Sequence, residues 1–249
     1  MLTDPAFYAT AIPAVLIFGI SKGGFGGGMG IMAVPMMALV IHPSVAAGIL
    51  LPLLILMDAI GAWAYRHRFD RRIISTMLPG ALVGVAAASL VFHYLNEDLI
   101  RIVLGLIATG FAADYFLRDQ SSVPPKPHRP AHATFWGVLS GFTSTVAHSG
   151  GPPANIYLLP LRLDKSVFVG SMIMLFALVN LSKLVPYALL GLFAGTNLLA
   201  SLVLAPVAAI GMLLGIWLHG RTNQRVFYLL CYLFVLLTGL KLIYDGARF

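Results

Sequence analysis

Three ionisable residues lie inside apolar stretches of the sequence, where charges are rare. Lys22 is followed by a run of glycines, Asp58 lies within a long apolar segment, and Lys183 follows Asn180 by three residues. A charge in such a segment is costly and usually marks a pathway for a ligand or an ion. A lysine beside glycine-rich backbone is typical of a site that binds an anion. For Lys22 the alternative is that its long side chain reaches the membrane surface.

A second polar segment, Ser140 to Pro153, is rich in hydroxyl groups and ends in two prolines. Pro152 and Pro153 suit the first turn of a helix, where a proline loses no hydrogen bond. Helix N-termini present unpaired N–H groups to anions, so this segment and the glycine run are predicted to face one ligand. The predicted substrate-binding residues are Ser21, Lys22, Gly24, Gly27, Gly28, Ser144, Ser149, Asn155, Asn180 and Lys183.

Two further residues are candidates for coupling a proton to transport. Asp58 needs a partner or a proton at its depth, and it is either a structural ion-pair partner of Lys22 or Lys183 or a direct substrate or proton site. His148 is either a core histidine or a group that titrates near neutral pH. No cluster of carboxylates and histidines has the spacing of a metal site, and no acid is placed to orient His148 for catalysis, so neither a metal, a cofactor nor an enzyme is predicted.

The composition is that of an integral membrane protein. Of 249 residues, 59% are hydrophobic and 10% charged, and the mean hydropathy is +0.90. The net charge of +7 comes from basic residues at the ends of apolar segments, a pattern that membrane topology explains and that argues against nucleic acid as a partner. The expected partners are a small anion and the lipid bilayer, and the sequence leaves the oligomeric state open.

The sequence divides into two similar halves, predicted as transmembrane repeats at 1–117 and 133–249 and joined by a solvated, proline-rich linker at 118–132. Phe18-Gly19 matches Ser140-Gly141 and Tyr65 matches Tyr187 at one offset of 122 residues. Such duplications are common in transporters. Each half contains five apolar segments: 6–20, 28–41, 44–65, 73–94 and 98–117 in the first, and 133–147, 152–160, 166–192, 196–219 and 224–244 in the second.

The distribution of basic residues predicts how the halves cross the membrane. Eleven arginines and lysines lie in the loops after segments three, five, seven and nine, which places those loops and the linker in the cytoplasm and both termini outside it. The halves then have inverted topology, provided that the opening pair of segments in each half enters and leaves on one side. The sequence allows a re-entrant hairpin or two full crossings there. Arms of about 15 residues or fewer favour the hairpin, and six glycines between Gly23 and Gly30 are expected to interrupt the helix at its tip.

The two motifs together resemble a known family. Gly19-Ile-Ser-Lys-Gly-Gly-Phe-Gly-Gly-Gly28-Met-Gly30, with Ser140-Gly-Phe142 and His148-Ser-Gly-Gly-Pro-Pro153 after a polar linker, is similar to the sulfite exporter TauE/SafE family of bacterial membrane proteins. The resemblance covers nearly the whole chain. It implies a permease of the inner membrane that moves sulfite or organosulfonates outward.

The sequence therefore predicts an all-α secondary transporter that binds a small anion between two broken hairpins and works by alternating access. The alternatives are an anion channel, a permease for another small organic anion and a membrane scaffold. A scaffold would not require buried lysines.

Overall fold

The computed structural model describes residues 4–27, 32–91, 97–117 and 124–247. The regular structure within these ranges is helical and contains no strand, as predicted. The helices are α1 Pro5–Phe25, α2 Ala33–Met37, α3 Pro43–Ala64, α4 Arg71–Val91, α5 Glu97–Leu117, α6 Pro130–Ala147, α7 Gly151–Leu158, α8 Lys165–Ser182, α9 Leu184–Leu189, α10 Gly195–Arg221 and α11 Gln224–Gly246.

Six of the described helical segments are long and apolar enough to cross a membrane. They are α1, α3, α4, α8 together with α9, α10 and α11. Each has at least 21 residues, which is sufficient for a hydrocarbon core of about 30 Å. The prediction of a multi-pass, all-helical membrane protein is confirmed.

Each half opens with a long helix, a break and a short helix. The short helices α2 and α7 have five and eight residues, or about 8 and 12 Å of helix. Neither is long enough by itself to cross the bilayer, as a re-entrant hairpin requires. That the opening pair of each half enters and leaves the membrane on one side remains a prediction. The first arms are longer than predicted, with 21 residues in α1 and 18 in α6.

The expectation that the helix is interrupted from Gly23 onward is wrong, because α1 continues through Gly23 and Gly24 to Phe25. A Cβ atom on Gly23 would lie 2.4 Å from the carbonyl oxygen of Met212 in α10. The glycines therefore allow two helix backbones to touch, as small residues do in other membrane helices. The left-handed conformation that ends α1 begins at Gly26, where φ is +70°.

The predicted segment 166–192 is also divided. Helix α8 ends at Ser182, α9 begins at Leu184, and Lys183 forms the joint. Pro186 explains the joint, because a proline lacks an N–H and its ring clashes with the carbonyl of the residue four positions earlier, which here is Ser182. The joint places the amine of Lys183 inside the protein.

The main contacts between helices are symmetric: each main contact that a helix of one half makes has an equivalent made by the corresponding helix of the other half. Helix α1 packs against α10, and its counterpart α6 packs against α4, the counterpart of α10. The last helices of the halves, α5 and α11, pack together, and so do the third helices, α3 and α8. This symmetry supports an internal repeat at 1–117 and 133–249. The inverted orientation of the halves remains a prediction.

Each half contains an equivalent hydrogen bond between a tyrosine and the backbone of the hairpin. The hydroxyl group of Tyr65 donates to the carbonyl oxygen of Gly23 at 2.9 Å, and that of Tyr187 donates to Thr145 at 2.9 Å. Each bond joins residues 42 positions apart. The first bond ties the C-terminal end of α3, and the second ties α9, to the hairpin of the same half. The equivalence of the two bonds supports the alignment at an offset of 122 residues.

Hydrogen bonds bring together several loops that carry basic residues. The backbone N–H of Lys126 in the linker donates to Pro160, near the end of α7. The amine of Lys165 donates to the carbonyl oxygen of His219 at 2.7 Å, and its backbone N–H donates to the side chain of Gln224. The linker, the α7–α8 turn and the α10–α11 turn thus lie at one end of the bundle. The cytoplasmic location of this end remains a prediction.

The contact between α4 and α6 gives a test of the backbone packing. A Cβ atom on Gly141 would lie 2.0 Å from the carbonyl oxygen of Ala81, so Gly141→Val forces the helices apart. We expect the free energy of unfolding to fall by about 1–3 kcal/mol, measured as a lower midpoint of thermal unfolding in detergent. Gly110→Val is the control, because nothing lies within 4 Å of a Cβ there. Equal midpoints for the two variants would contradict this packing.

Candidate functional site

The tip of the first hairpin is closed by hydrogen bonds within its own backbone. Helix α1 ends at Phe25 and is capped by Gly26, and the N–H groups of Gly26 and Gly27 both donate to the carbonyl oxygen of Ser21. Positive φ angles of 70° and 79° at Gly26 and Gly27 favour glycine at these positions. These two N–H groups already donate hydrogen bonds within the protein, so they are not free to bind an anion.

The tip of the second hairpin has the equivalent closing hydrogen bond, 122 residues later. Helix α6 ends at Ala147 and is capped by His148, and the N–H of Ser149 donates to the carbonyl oxygen of Thr143 at 3.1 Å. His148 has a φ of +51°, which is uncommon for a residue other than glycine. A histidine thus occupies the position where the first tip has Gly26.

The helix N-terminus in the second hairpin offers fewer backbone donors than the sequence analysis assumed. Pro152 and Pro153 occupy the second and third positions of α7, and proline has no N–H. The N–H of Ala154 donates to the carbonyl oxygen of Gly150 at 3.4 Å. This leaves Gly151 as the residue in the first turn whose N–H is available to a ligand, so side chains must supply most of the contacts.

A cavity of about 30 Å³ lies between the two hairpin tips and the central helices α3 and α8. Its polar wall comes from both halves of the chain and consists of Lys22, Ser144, His148 and Asn180. Gly26, Gly27 and Gly151 contribute backbone at the tips. The remaining wall is apolar and consists of Phe18, Leu54, Met172, Ile173 and Phe176. The cavity is therefore amphipathic.

A buried ion pair lies beside the cavity. The amine of Lys22 is 2.9 Å from Oδ1 of Asp58, and both side chains are less than one tenth exposed. The side-chain amide of Asn180 donates to Oδ2 of Asp58 at 2.6 Å. The carboxylate thus connects a lysine of the first hairpin to α8 in the other half. Of the two alternatives for Asp58, ion pairing with Lys22 is the one that this geometry shows.

Lys183 is fully buried on the other side of the cavity. Its amine donates to the carbonyl oxygen of Ser144 at 3.2 Å, to the hydroxyl oxygen of Ser144 at 3.0 Å and to Nδ1 of His148 at 3.1 Å. Nε2 of His148 lies 3.1 Å from the carbonyl oxygen of Ala47 in α3. A carbonyl oxygen only accepts, so Nε2 carries the proton and Nδ1 accepts from Lys183. This arrangement makes His148 neutral.

The predicted site residues fall into two groups. Lys22, Gly27, Ser144, His148 and Asn180 line the cavity. Asp58 and Lys183 lie directly behind it, because each forms hydrogen bonds with residues of the lining. The structure thus brings together seven of the twelve predicted residues, which had been selected from both halves of the sequence.

The other predicted residues do not line this cavity. Ser21 accepts the hydrogen bonds that close the first tip, and the carbonyl oxygen of Gly24 accepts from Nδ1 of His219 at 3.0 Å. The hydroxyl group of Ser149 donates to Ala147 at 3.0 Å. Asn155 is fully buried in α7, and its amide has no hydrogen-bond partner within the described ranges. Gly28 lies outside the described residues.

The sequence analysis did not identify the apolar wall. Apolar residues within apolar helices have no distinguishing composition, but their spacing was a usable signal. Phe18, Leu54 and Phe176 each precede a polar residue of the site by four positions, and residues four apart lie on one face of a helix. The turn before each predicted polar residue therefore contributes to the cavity.

One family model matches the chain. Its description is "Sulfite exporter TauE/SafE", and it matches residues 11–242. The matched range includes both hairpin tips, the cavity and all the charged residues beside it. No curated protein and no solved structure matches the chain.

Proposed function

The chain belongs to the sulfite exporter TauE/SafE family, and we propose that it is a secondary transporter that exports small sulfur-containing anions, such as sulfite or organosulfonates, across the bacterial inner membrane. The observation that carries this proposal is the cavity between the two hairpin tips. Two buried lysines lie at this cavity and only one carboxylate accompanies them among the described residues. Such an excess of positive charge attracts an anion.

An anion that enters the cavity must replace its hydration shell with protein donors. Lys22 lines the cavity directly, and Ser144 presents its hydroxyl group there while accepting from Lys183. The substrate oxygens would take their hydrogen bonds from Lys22, Ser144 and Gly151, with Asn180 and Lys183 holding these groups in place. Charge-assisted bonds of this kind are about twice as strong as neutral ones. A methyl or methylene group of a sulfonate would lie against the apolar wall.

The cavity is smaller than the proposed substrates. A volume of about 30 Å³ is room for about two water molecules, since one needs roughly 10–15 Å³ by this measure. Sulfite has four heavy atoms and a sulfonate has more. The lining must therefore widen when the substrate enters or leaves.

Alternating access would come from rocking of one half against the other. Two hydrogen bonds cross between the halves at the site, from Asn180 to Asp58 and from His148 to Ala47. Rocking would break these bonds and remake them. Asp58 and His148 also contact the two lysines, so they are the proposed residues for coupling a proton to this motion.

Proteoliposomes that contain the purified protein test this function. We expect uptake of labelled sulfite or methanesulfonate to saturate with concentration and to be stimulated by the same unlabelled anion inside the vesicles. Exchange of this kind requires alternating access, whereas a channel would conduct without saturation and give single-channel currents in a planar bilayer. Uptake no faster than in empty vesicles, for all sulfur anions tried, would contradict the proposed function.

A further inference from the structure

We infer that the site selects anions that carry a single negative charge, and that Asp58 sets this limit as a built-in counter-ion. The inference rests on the proposed function, because it specifies the charge class of the substrates that the cavity accepts. It follows from the charges beside the cavity, from the hydrogen bonds of Lys183 and from the burial of both.

The first step concerns the charges that lie beside the cavity. Lys22 and Asp58 form a contact of 2.9 Å and neutralise each other. The other charged side chain beside the cavity is Lys183, whose amine contacts Ser144 of the lining. Among the described residues, therefore, two positive charges accompany one negative charge at this site.

The second step concerns the charge of Lys183 itself. Its three contacts are the carbonyl oxygen of Ser144, the hydroxyl oxygen of Ser144 and Nδ1 of His148. The carbonyl oxygen only accepts, and Nδ1 accepts because the proton of His148 is on Nε2, facing Ala47. An ammonium group has three N–H donors, which match the three contacts when the hydroxyl oxygen of Ser144 accepts. With Lys183 assigned as this ammonium, and with no carboxylate in contact with it, the site has an excess of one positive charge.

The three charged side chains at the site are buried. Lys22, Asp58 and Lys183 are each at least nine-tenths buried, so their charges are weakly screened by water. One monoanion makes the site neutral. A dianion would leave one buried negative charge without a partner, which is strongly unfavourable. Without the carboxylate of Asp58, the excess would be two positive charges, and a dianion would fit.

Methanesulfonate and methylphosphonate provide a matched pair of probes. Both have a methyl group and three terminal oxygens, but at alkaline pH methanesulfonate is a monoanion and methylphosphonate a dianion. We expect the full-length protein in detergent to bind methanesulfonate at least about tenfold more tightly, measured by calorimetry at alkaline pH. At mildly acidic pH, where methylphosphonate becomes a monoanion, its affinity should approach that of methanesulfonate, whose own binding at both pH values is the control.

The Asp58→Asn variant tests the role of the carboxylate. We expect its preference for methanesulfonate over methylphosphonate at alkaline pH to fall by at least about tenfold. Asp245→Asn is the control, because Asp245 pairs with Lys241 near the end of α11, and it should keep the wild-type preference. If Asp58→Asn does not fold, the comparison of the two probes in the wild-type protein decides the question.

The possible outcomes separate the two proposals. Equal affinity of the wild-type protein for both probes at alkaline pH would overturn the charge selectivity and leave the proposed function standing. An unchanged preference in folded Asp58→Asn would overturn the role of Asp58. Failure of the wild-type protein to bind either probe or sulfite would count against the proposed function itself.

Discussion

A Lys183→Met variant is expected to lose transport of sulfur anions by about a hundredfold or more, which corresponds to about 2.7 kcal/mol. Lys183 provides the excess positive charge of the site and orients Ser144 and His148 through three hydrogen bonds. Methionine fills a similar volume, so the change removes the charge and the donors without a large cavity. Labelled uptake into proteoliposomes, corrected for the amount of folded protein, measures the loss.

Two variants show whether such a loss is specific to the site. Lys241→Met removes another lysine from a transmembrane helix, but that lysine is partly exposed and pairs with Asp245 one turn away, so we expect normal uptake. Lys22→Met should lose transport to a similar degree as Lys183→Met, because Lys22 lines the cavity. Wild-type uptake in both cavity variants would show that the anion binds elsewhere.

Asp58→Ala is expected to lower the free energy of unfolding by about 3–5 kcal/mol, because it leaves Lys22 buried with no counter-charge. The amide of Asn180 would lose its acceptor in the same change. Unfolding of the purified protein by a denaturing detergent measures the difference from the wild type. High concentrations of methanesulfonate should restore part of the lost stability, because a bound anion supplies the missing charge.

The double variant Lys22→Met/Asp58→Ala separates the ion pair from the rest of the site. Removing both charges together leaves no uncompensated ion, so we expect much of the stability to return relative to Asp58→Ala. Transport should remain absent, because the lysine that faces the cavity is gone. If the loss in free energy of unfolding of the double variant instead equalled the sum of the losses in the two single variants, the contact between Lys22 and Asp58 would contribute nothing to stability.

Much of the architecture was predictable because its signals are local in the sequence. Long apolar runs separated by polar breaks define helices that cross a membrane, and short arms between breaks define hairpins. The same reasoning identified Lys22, Asp58 and Lys183, since a charge in an apolar run requires a special environment. Both the all-helical membrane fold and the family resemblance were confirmed.

The features that sequence reasoning missed depend on distant contacts or on a local signal that was not used. Gly23 and Gly24 remain helical because α10, almost 190 residues later, packs against them, and composition alone cannot indicate that partner. The joint at Lys183 was predictable in principle, because Pro186 lies four residues after Ser182. The convergence of Asp58 with Asn180, and of Lys183 with His148, requires the bundle to be assembled.

The contact between α1 and α10 also constrains how the protein is made. The glycine face of α1 is synthesised first, yet the helix that covers it begins at Gly195, 170 residues after Phe25. At translation rates of roughly 5–20 residues per second, this interval is about ten to thirty seconds. During this interval α10 has not yet been synthesised, so the first hairpin and Lys22 lie in an incomplete bundle. A chain arrested before α10 would lack the helix that covers these glycines.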